Sequence, residues 1–385
     1  VAYVGIRKAR LSSISGNSVG GCMAKIIAAL RSAVVPRAGA FSHLSLHELA
    51  APVVQNVVRA AGICADQVDE LIVSNALGAG GNPARVCALA AGLPVGVAGL
   101  SIDRQCVGGL DAIIRAADMV DMGRARVVVA GGVESYSRRP IRLRSDHGAD
   151  VGVAYDRPAF APEPAFDPDP HVAMATLAAQ CGISRKAQEA YTQQSHQRAL
   201  AAQEHLANEI VEISGVTCDP YARRLSGHIM AKAPVLAGTV TAATAAVAAD
   251  GAAFVVVVAD DFDTSVMRPL SIGPALTIGS APQNPALAPI PAMHGVLAQH
   301  GHAIDRVEMM EAYAVQSMAC IDGAELDLNK VNVCGGALAR GHPIGASGAI
   351  LAVRLFHDLQ PAQSGLAAIA AVGGLGSAVV FERRA

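Results

Sequence analysis

Two residues combine a reactive side chain with a setting that could use it. Cys106 stands in Arg104-Gln-Cys-Val-Gly-Gly109, where the pattern predicts the start of a helix. Free N–H groups at a helix start carry partial positive charge and favour thiolate over thiol. The glycines after it let a substrate approach the backbone closely. A buried, inert cysteine is the commoner role for such a residue in isolation. His342 has a similar setting in Gly341-His-Pro-Ile-Gly-Ala-Ser-Gly348. Pro343 near the first helical position and the small residues after it pin that turn. A histidine held there can act as base toward a thiol, so the two together suggest a Cys and His nucleophilic pair.

Other chemistries find less support. None of the eight cysteines forms a CxxC pair, which leaves zinc-ribbon and thioredoxin-like motifs unsupported. His43 with His47, and His300 with His302, read as solvated or capping histidines, and no metal site is expected. The glycine loop at 78–81 is not GxGxxG and lacks the acidic residue expected downstream. No GxxxxGK[ST] loop occurs, which argues against P-loop enzymes.

The elements that must position the pair are those of an α/β protein. Of 385 residues, 52% are hydrophobic, 16% charged and only 3% aromatic, with 38 Gly and no Trp. That composition suits close packing of helices on sheets and excludes disorder. The net charge of −2 gives no basic field for nucleic acid. Mean hydropathy is high, at +0.37, but the apolar runs are short and no membrane span is expected. Strands are predicted at 23–30, 70–76 and 127–130, the last ended by Gly131 and Gly132, with helices at 46–62 and 85–92. Residues 136–237 shift in composition, with a basic stretch, a proline-rich stretch and a long polar helix at 184–207. They read as an insertion or lid outside the sheet core. Residues 1–22 read as an N-terminal extension before a core that begins near Met23; a first strand at 1–5 is the alternative. The Cys106 and His342 helix starts are each followed by a strand closing on glycines, which suggests two related halves with a site where the helix starts meet.

At this point the sequence resembles the thiolase family, which transfers acyl groups of coenzyme A thioesters through a cysteine. The resemblance runs from about residue 24 to 381. It is carried by Gly78-Ala-Gly-Gly-Asn-Pro-Ala-Arg85, by the Cys106 segment and by Ala130-Gly-Gly-Val-Glu-Ser-Tyr-Ser137. Farther on it is carried by Asp250-Gly-Ala-Ala253, Asn332-Val-Cys-Gly-Gly-Ala337 and the His342 segment. It implies two pseudo-symmetric five-layered αβαβα halves plus an inserted loop domain. The N-terminal thiolase domain would comprise 23–135 and 238–264, the loop domain 136–237 and the C-terminal domain 265–385. Cys106 would take the acyl group and His342 would activate it. The N–H groups of Cys106 and Val372 would form the oxyanion hole. Arg223 would meet the nucleotide of coenzyme A, and Ala246 stands where a serine usually touches the pantetheine arm.

The sequence also departs from the family pattern. Asn-Glu-Ala-Phe reads Met310-Glu-Ala-Tyr313, which loses the Asn that positions an enolate-stabilising water. The second catalytic Cys falls at Ala370, which cannot shuttle a proton. Counted from Met23, the chain is short for that family. The expected function is thiolysis of 3-ketoacyl-CoA or condensation of acyl-CoAs through Cys106, with weakened or altered turnover. Acyl transfer or thioester hydrolysis without carbon–carbon chemistry, and an acyl-CoA-binding subunit, are the alternatives. Coenzyme A and acyl-CoA are the expected partners, with coenzyme A as substrate and no separate cofactor. The resemblance implies a homodimer or homotetramer. Scattered cysteines without a secretion signal suggest the cytoplasm.

Overall fold

The computed structural model describes residues 23–78, 80–145, 147–263 and 268–385. The 1–22 extension, the alternative strand at 1–5 and the boundary at 264–265 lie outside these residues. The main elements, in chain order, begin with β1 (Lys25–Ser32), α1 (Leu46–Ala60), β2 (Glu70–Ser74), α2 (Pro83–Ala90), β3 (Leu100–Ile102), α3 (Gly108–Asp121) and β4 (Val127–Glu134). Next come α4 (Pro170–Cys181), α5 (Arg185–Ala201), β5 (Ala249–Val258) and β6 (Leu270–Gly279). The chain closes with α6 (Pro289–His300), β7 (Arg306–Met309), α7 (Ala314–Gly323), α8 (Ile344–Asp358), β8 (Gln363–Ala371) and β9 (Leu375–Arg383).

Local chemistry sets these bounds. Glu48 reaches back to the Ser45 N–H at 2.8 Å and closes the start of α1. Asn82 accepts from the Arg85 N–H at 3.1 Å, with Pro83 opening α2. Every residue of β4 and β5 is buried, and apart from Glu134 and Asp250 both strands are continuous apolar runs rather than alternating ones.

The two halves repeat one pairing scheme. In the first, β2 pairs parallel with β4, β4 antiparallel with β5, and β5 antiparallel with β1. In the second, β7 pairs parallel with β8, β8 antiparallel with β9, and β9 antiparallel with β6. Lys25 opposite Ser271 and Ile26 opposite Leu270 join β1 to β6, so the sheets run into one another. Helices α1 and α2 cover the outer face of the first half, and α6 that of the second. Helices α3 and α8 lie between the sheets. The resulting five layers, αβαβα, run through both halves together and share the middle layer.

That middle layer brings the two helix starts together. A Cβ on Gly109 would lie 2.7 Å from the Gly345 oxygen, and one on Gly348 would lie 2.4 Å from the Leu110 nitrogen. Only glycine permits this backbone-to-backbone approach.

Three expectations change. Gly131 and Gly132 do not end the strand at 127–130; they lie inside β4. A Cβ on Gly131 would strike the Ala253 oxygen of β5 at 2.0 Å, so small size, not a turn, is what is needed there. The long helix at 184–207 breaks at Ala202 (φ −95°, ψ 9°), and a second short helix, Gln203–Ala207, buries Leu206. Finally, the insertion is not wholly outside the sheet: Ile210 and Val211 pair in parallel with Arg31 and Ser32. Among the described residues, no helix is long and apolar enough to cross a membrane.

Candidate active site

Cys106 occupies a single 3₁₀ turn, Gln105–Val107, that runs directly into α3. Gln105 has φ of +51°, a strained value for a residue with a Cβ. Its N–H is held by the Asp103 carboxylate at 2.9 Å. The turn packs against β8 and α8 and so sits at the junction of the halves.

His342 precedes α8. Its N–H donates to the Val247 carbonyl at 2.8 Å, which fixes the backbone. Its Nε2 lies 3.1 Å from the Cys106 Sγ. Its Nδ1 lies 2.7 Å from the Ser347 Oγ, and that hydroxyl donates to the Pro343 carbonyl at 3.0 Å. The Ser347 proton is thus committed, and its lone pair is free to accept from Nδ1–H. We assign the Nδ1–H tautomer on this network, which leaves the Nε2 lone pair facing the thiol.

Burial pushes the Cys106 thiol up to about 12, and the Glu134 and Asp103 carboxylates add to the rise. Burial lowers His342 to about 4, helped by the Arg340 charge. The resting pair is therefore neutral thiol and neutral imidazole. Burial thus opposes the pull toward thiolate that the backbone N–H at this helix start supplies. The arrangement is one in which the thiol can pass its proton to Nε2 as it attacks a carbonyl.

Glu134, at the end of β4, is a further buried group that sequence reasoning did not single out. Its carboxylate accepts from Asn75 Nδ2 at 2.6 Å, from the Ala76 and Leu77 N–H groups at 3.1 Å each, and from the Gly345 N–H at 3.0 Å. It ties the loop after β2 to the first turn of α8. Burial raises it to about 7, against the pull of those amide donors. Ser347 was equally unremarked. Its signal was present: a serine four residues after Pro343, in the first turn of a helix, can bond back to the earlier carbonyl.

The remaining predicted residues fall as follows. Val372 is half-buried in the turn between β8 and β9, ahead of Gly373 and Gly374 (φ +77° and +75°). Ala246 is half-buried against the central core, as Cys106 is, and its N–H donates to the Ala312 carbonyl at 2.9 Å. Arg223 is exposed, and its guanidinium lies 4.0 Å over the Tyr221 ring and bonds to the Tyr221 carbonyl and hydroxyl. Met310 is buried in the central core, and Ala370 is buried on β8. Tyr313 places its hydroxyl 2.9 Å from the Nδ1 of His171, at the start of α4 in the inserted region. The same region covers the glycine turn, where a Cβ on Gly373 would lie 3.1 Å from the Phe160 carbonyl oxygen.

One cluster elsewhere was not foreseen. Ligand atoms of His205, Cys334 and Asp358 lie within 4.8 Å of one another. Asp358 is already engaged there, by Arg354 Nη2 at both carboxylate oxygens and by His205 Nε2.

Comparison with known proteins agrees with this geometry. The profile described as "Thiolase, N-terminal domain" matches residues 24–261, and that described as "Thiolase, C-terminal domain" matches residues 270–383. Bacillus subtilis "Putative acetyl-CoA C-acetyltransferase YhfS" is 38% identical over 87% of this chain and 92% of its own. Staphylococcus aureus "Putative acetyl-CoA C-acetyltransferase VraB" is 33% identical over 94% and 99%. The Bacillus anthracis acetyl-CoA acetyltransferase crystal structure superposes with a TM-score of 0.85 at 31% identity, covering 94% of this chain and 98% of that one. The Ascaris suum Acat5 thiolase in complex with coenzyme A gives 0.87 at 29% identity, covering 94% and 100%. With both family domains matched in succession over residues 24–261 and 270–383, and the Cys106 and His342 helix starts meeting between two halves of that fold, this chain belongs to the thiolase family.

Proposed function

We propose that this protein is an acyl-CoA acyltransferase of thiolase type that carries the acyl group on Cys106. It would cleave 3-ketoacyl-CoA with coenzyme A, or join two acyl-CoA molecules in the reverse direction. The supporting observation is the 3.1 Å contact between Cys106 Sγ and His342 Nε2, with the far ring nitrogen tied to Ser347.

In this reading the thiol proton moves to His342 as the sulfur attacks an acyl carbonyl. Charge on the carbonyl oxygen is met by the N–H groups of Cys106 and Val372, donors that cost no reorganisation. The adduct then collapses: the bond from the acyl carbon to its leaving group breaks, and that group takes the proton from His342. In the second half, coenzyme A gives its thiol proton to the neutral His342 and attacks the acyl group. The Cys106 sulfur then leaves and takes that proton back. Coenzyme A is a substrate here, and these steps call on no further cofactor. The coenzyme A bound in the Ascaris relative supports this choice of partner. Arg223 would contact the nucleotide, where it can leave Tyr221 for a phosphate, and Ala246 would line the pantetheine path. The protein would act as a homodimer or homotetramer. The free thiols among the described residues suit the cytoplasm.

Incubation with acetyl-CoA, followed by intact-mass analysis, tests the reading. We expect one acetyl group on the wild-type chain and none on Cys106→Ala. An unmodified wild-type chain, or a Cys106→Ala chain modified equally, would sink it. Steady-state cleavage of acetoacetyl-CoA separates a complete thiolase from an acyltransferase that does no carbon–carbon chemistry.

A further inference from the structure

We propose that the Tyr313 hydroxyl, oriented by His171, donates a hydrogen bond to the thioester oxygen that becomes negative when the carbon–carbon bond opens. This deepens the acyl-enzyme reading above and rests on it.

The first support is backbone geometry. Residues 244–248 form a strap that touches both Tyr313 and His342. On one side, Ala246 N–H meets the Ala312 carbonyl and Ala314 N–H meets the Thr244 carbonyl, each at 2.9 Å, with a β-bridge between Ala245 and Tyr313. On the other side, His342 N–H meets the Val247 carbonyl at 2.8 Å, with a β-bridge between Ala248 and His342. Ala245 and Ala248 are three residues apart, so at most about 10 Å of chain separates the two backbone contacts. That span suits a donor and a base that serve two ends of one 3-ketoacyl thioester.

The second support is the hydrogen bond itself. Tyr313 Oη lies 2.9 Å from His171 Nδ1, and the rings meet edge to face at 5.7 Å. The proposal assigns the proton of this pair to His171 Nδ1, which makes the phenol oxygen the acceptor and leaves its own proton for the substrate oxygen. Burial raises the Tyr313 phenol above its ordinary range, and the nearby Asp169 carboxylate and Cys106 sulfur raise it further. The group therefore stays protonated and acts as a donor rather than a base. Met310 and Ala370 offer no comparable proton.

The step balances without a second acid. The Cys106 thiol proton passes to His342, and a sulfur–carbon bond forms at the keto carbon. The bond between that carbon and the α-carbon breaks, and its electron pair delocalises onto the thioester oxygen facing Tyr313. Tyr313 keeps its proton throughout. The α-carbon then takes the proton from His342, and the shortened acyl-CoA departs.

The test compares Tyr313→Phe with wild type in two reactions. For acetoacetyl-CoA cleavage we expect kcat to fall about 100-fold with little change in KM, the size of a lost oxyanion donor. Acetylation of Cys106 by acetyl-CoA, which needs no enolate, should stay within about threefold, and this also reports an intact fold. His171→Gln, which keeps a side-chain N–H, should retain more cleavage than His171→Ala. Wild-type cleavage rates in Tyr313→Phe would overturn the proposal. So would a wild type that acetylates Cys106 yet neither cleaves acetoacetyl-CoA nor exchanges acetyl-CoA methyl protons in D₂O. Failure of wild-type Cys106 to acetylate would overturn the acyl-enzyme reading itself.

Discussion

Cys106 Sγ and His342 Nε2 meet at 3.1 Å although 236 residues separate them in sequence. The contact depends on two helix starts that cross at glycine, Gly109 on α3 and Gly348 on α8. It joins a thiol raised to about 12 and an imidazole lowered to about 4, each shifted mainly by burial.

The first prediction concerns pH. Nε2 must be unprotonated to accept the thiol proton, so acylation is lost as pH falls through the His342 value of about 4. In Glu134→Gln, which removes the buried carboxyl near 7, the acetylation rate of Cys106 should therefore be flat from about pH 5.5 to 8.5, with no limb at the ordinary histidine value of about 6.5. Stopped-flow acetylation of that variant checks this, and a limb centred between about 6 and 7 would contradict it.

Ser347→Ala should slow acylation without abolishing it. The change leaves Nδ1–H buried without its acceptor, which costs about 1–3 kcal/mol. If that cost falls on the reacting tautomer, the rate drops about 10- to 100-fold. Time-resolved intact mass measures the drop, and Ser347→Thr, which keeps the hydroxyl, should recover most of it. Equal rates for Ala and wild type would show that the ring needs no such anchor.

Gly348→Ala should disrupt the middle layer. The added Cβ would lie 2.4 Å from the Leu110 nitrogen, a backbone atom that cannot turn aside. Overpacking of a core typically costs about 1–3 kcal/mol, and a backbone clash belongs at or above the upper end. We expect a lower thermal midpoint and slower Cys106 acetylation together. An unchanged midpoint would mean that the crossing helices have slack.

A fourth prediction lies away from the site. Arg31, Glu209 and Arg354 are all fully buried, with Arg31 Nε 2.5 Å from one Glu209 oxygen and Arg354 Nη1 on the other. Burial alone would raise Glu209, but Arg354 and Arg31 hold it down at about 2. A lowered carboxylate contributes stability above its unfolded value, and that stability is lost as pH falls toward the folded one. Urea midpoints should therefore decline between about pH 4.5 and 2. Arg354→Met strips Glu209 and Asp358 of a partner and should cost about 3–5 kcal/mol at neutral pH. A midpoint within error of wild type would refute that.

Much of the site could be read from residue types and spacing. Cys106 before two glycines and His342 before a proline each announced a helix start, and both helices form. Their partners were harder to read. Glu134 is one carboxylate in a buried strand, and nothing local shows that its four donors come from residues 75, 76, 77 and 345. His171 and Tyr313 lie 142 positions apart in unrelated motifs. The glycine pair 131–132 looked like a strand end because a turn and a close approach both select glycine. Only the neighbouring strand distinguishes them.

The sequence by itself determined the elements, the nucleophile and base candidates, and the repeat that pointed to two halves. These follow from local periodicity, caps and small-residue patterns, which need no distant partner. Tertiary structure alone decided the charge state of the pair and the tautomer of His342. It also decided the company of Tyr313. Desolvation and hydrogen-bond geometry depend on what surrounds an atom in space, and here the surroundings come from segments hundreds of residues apart.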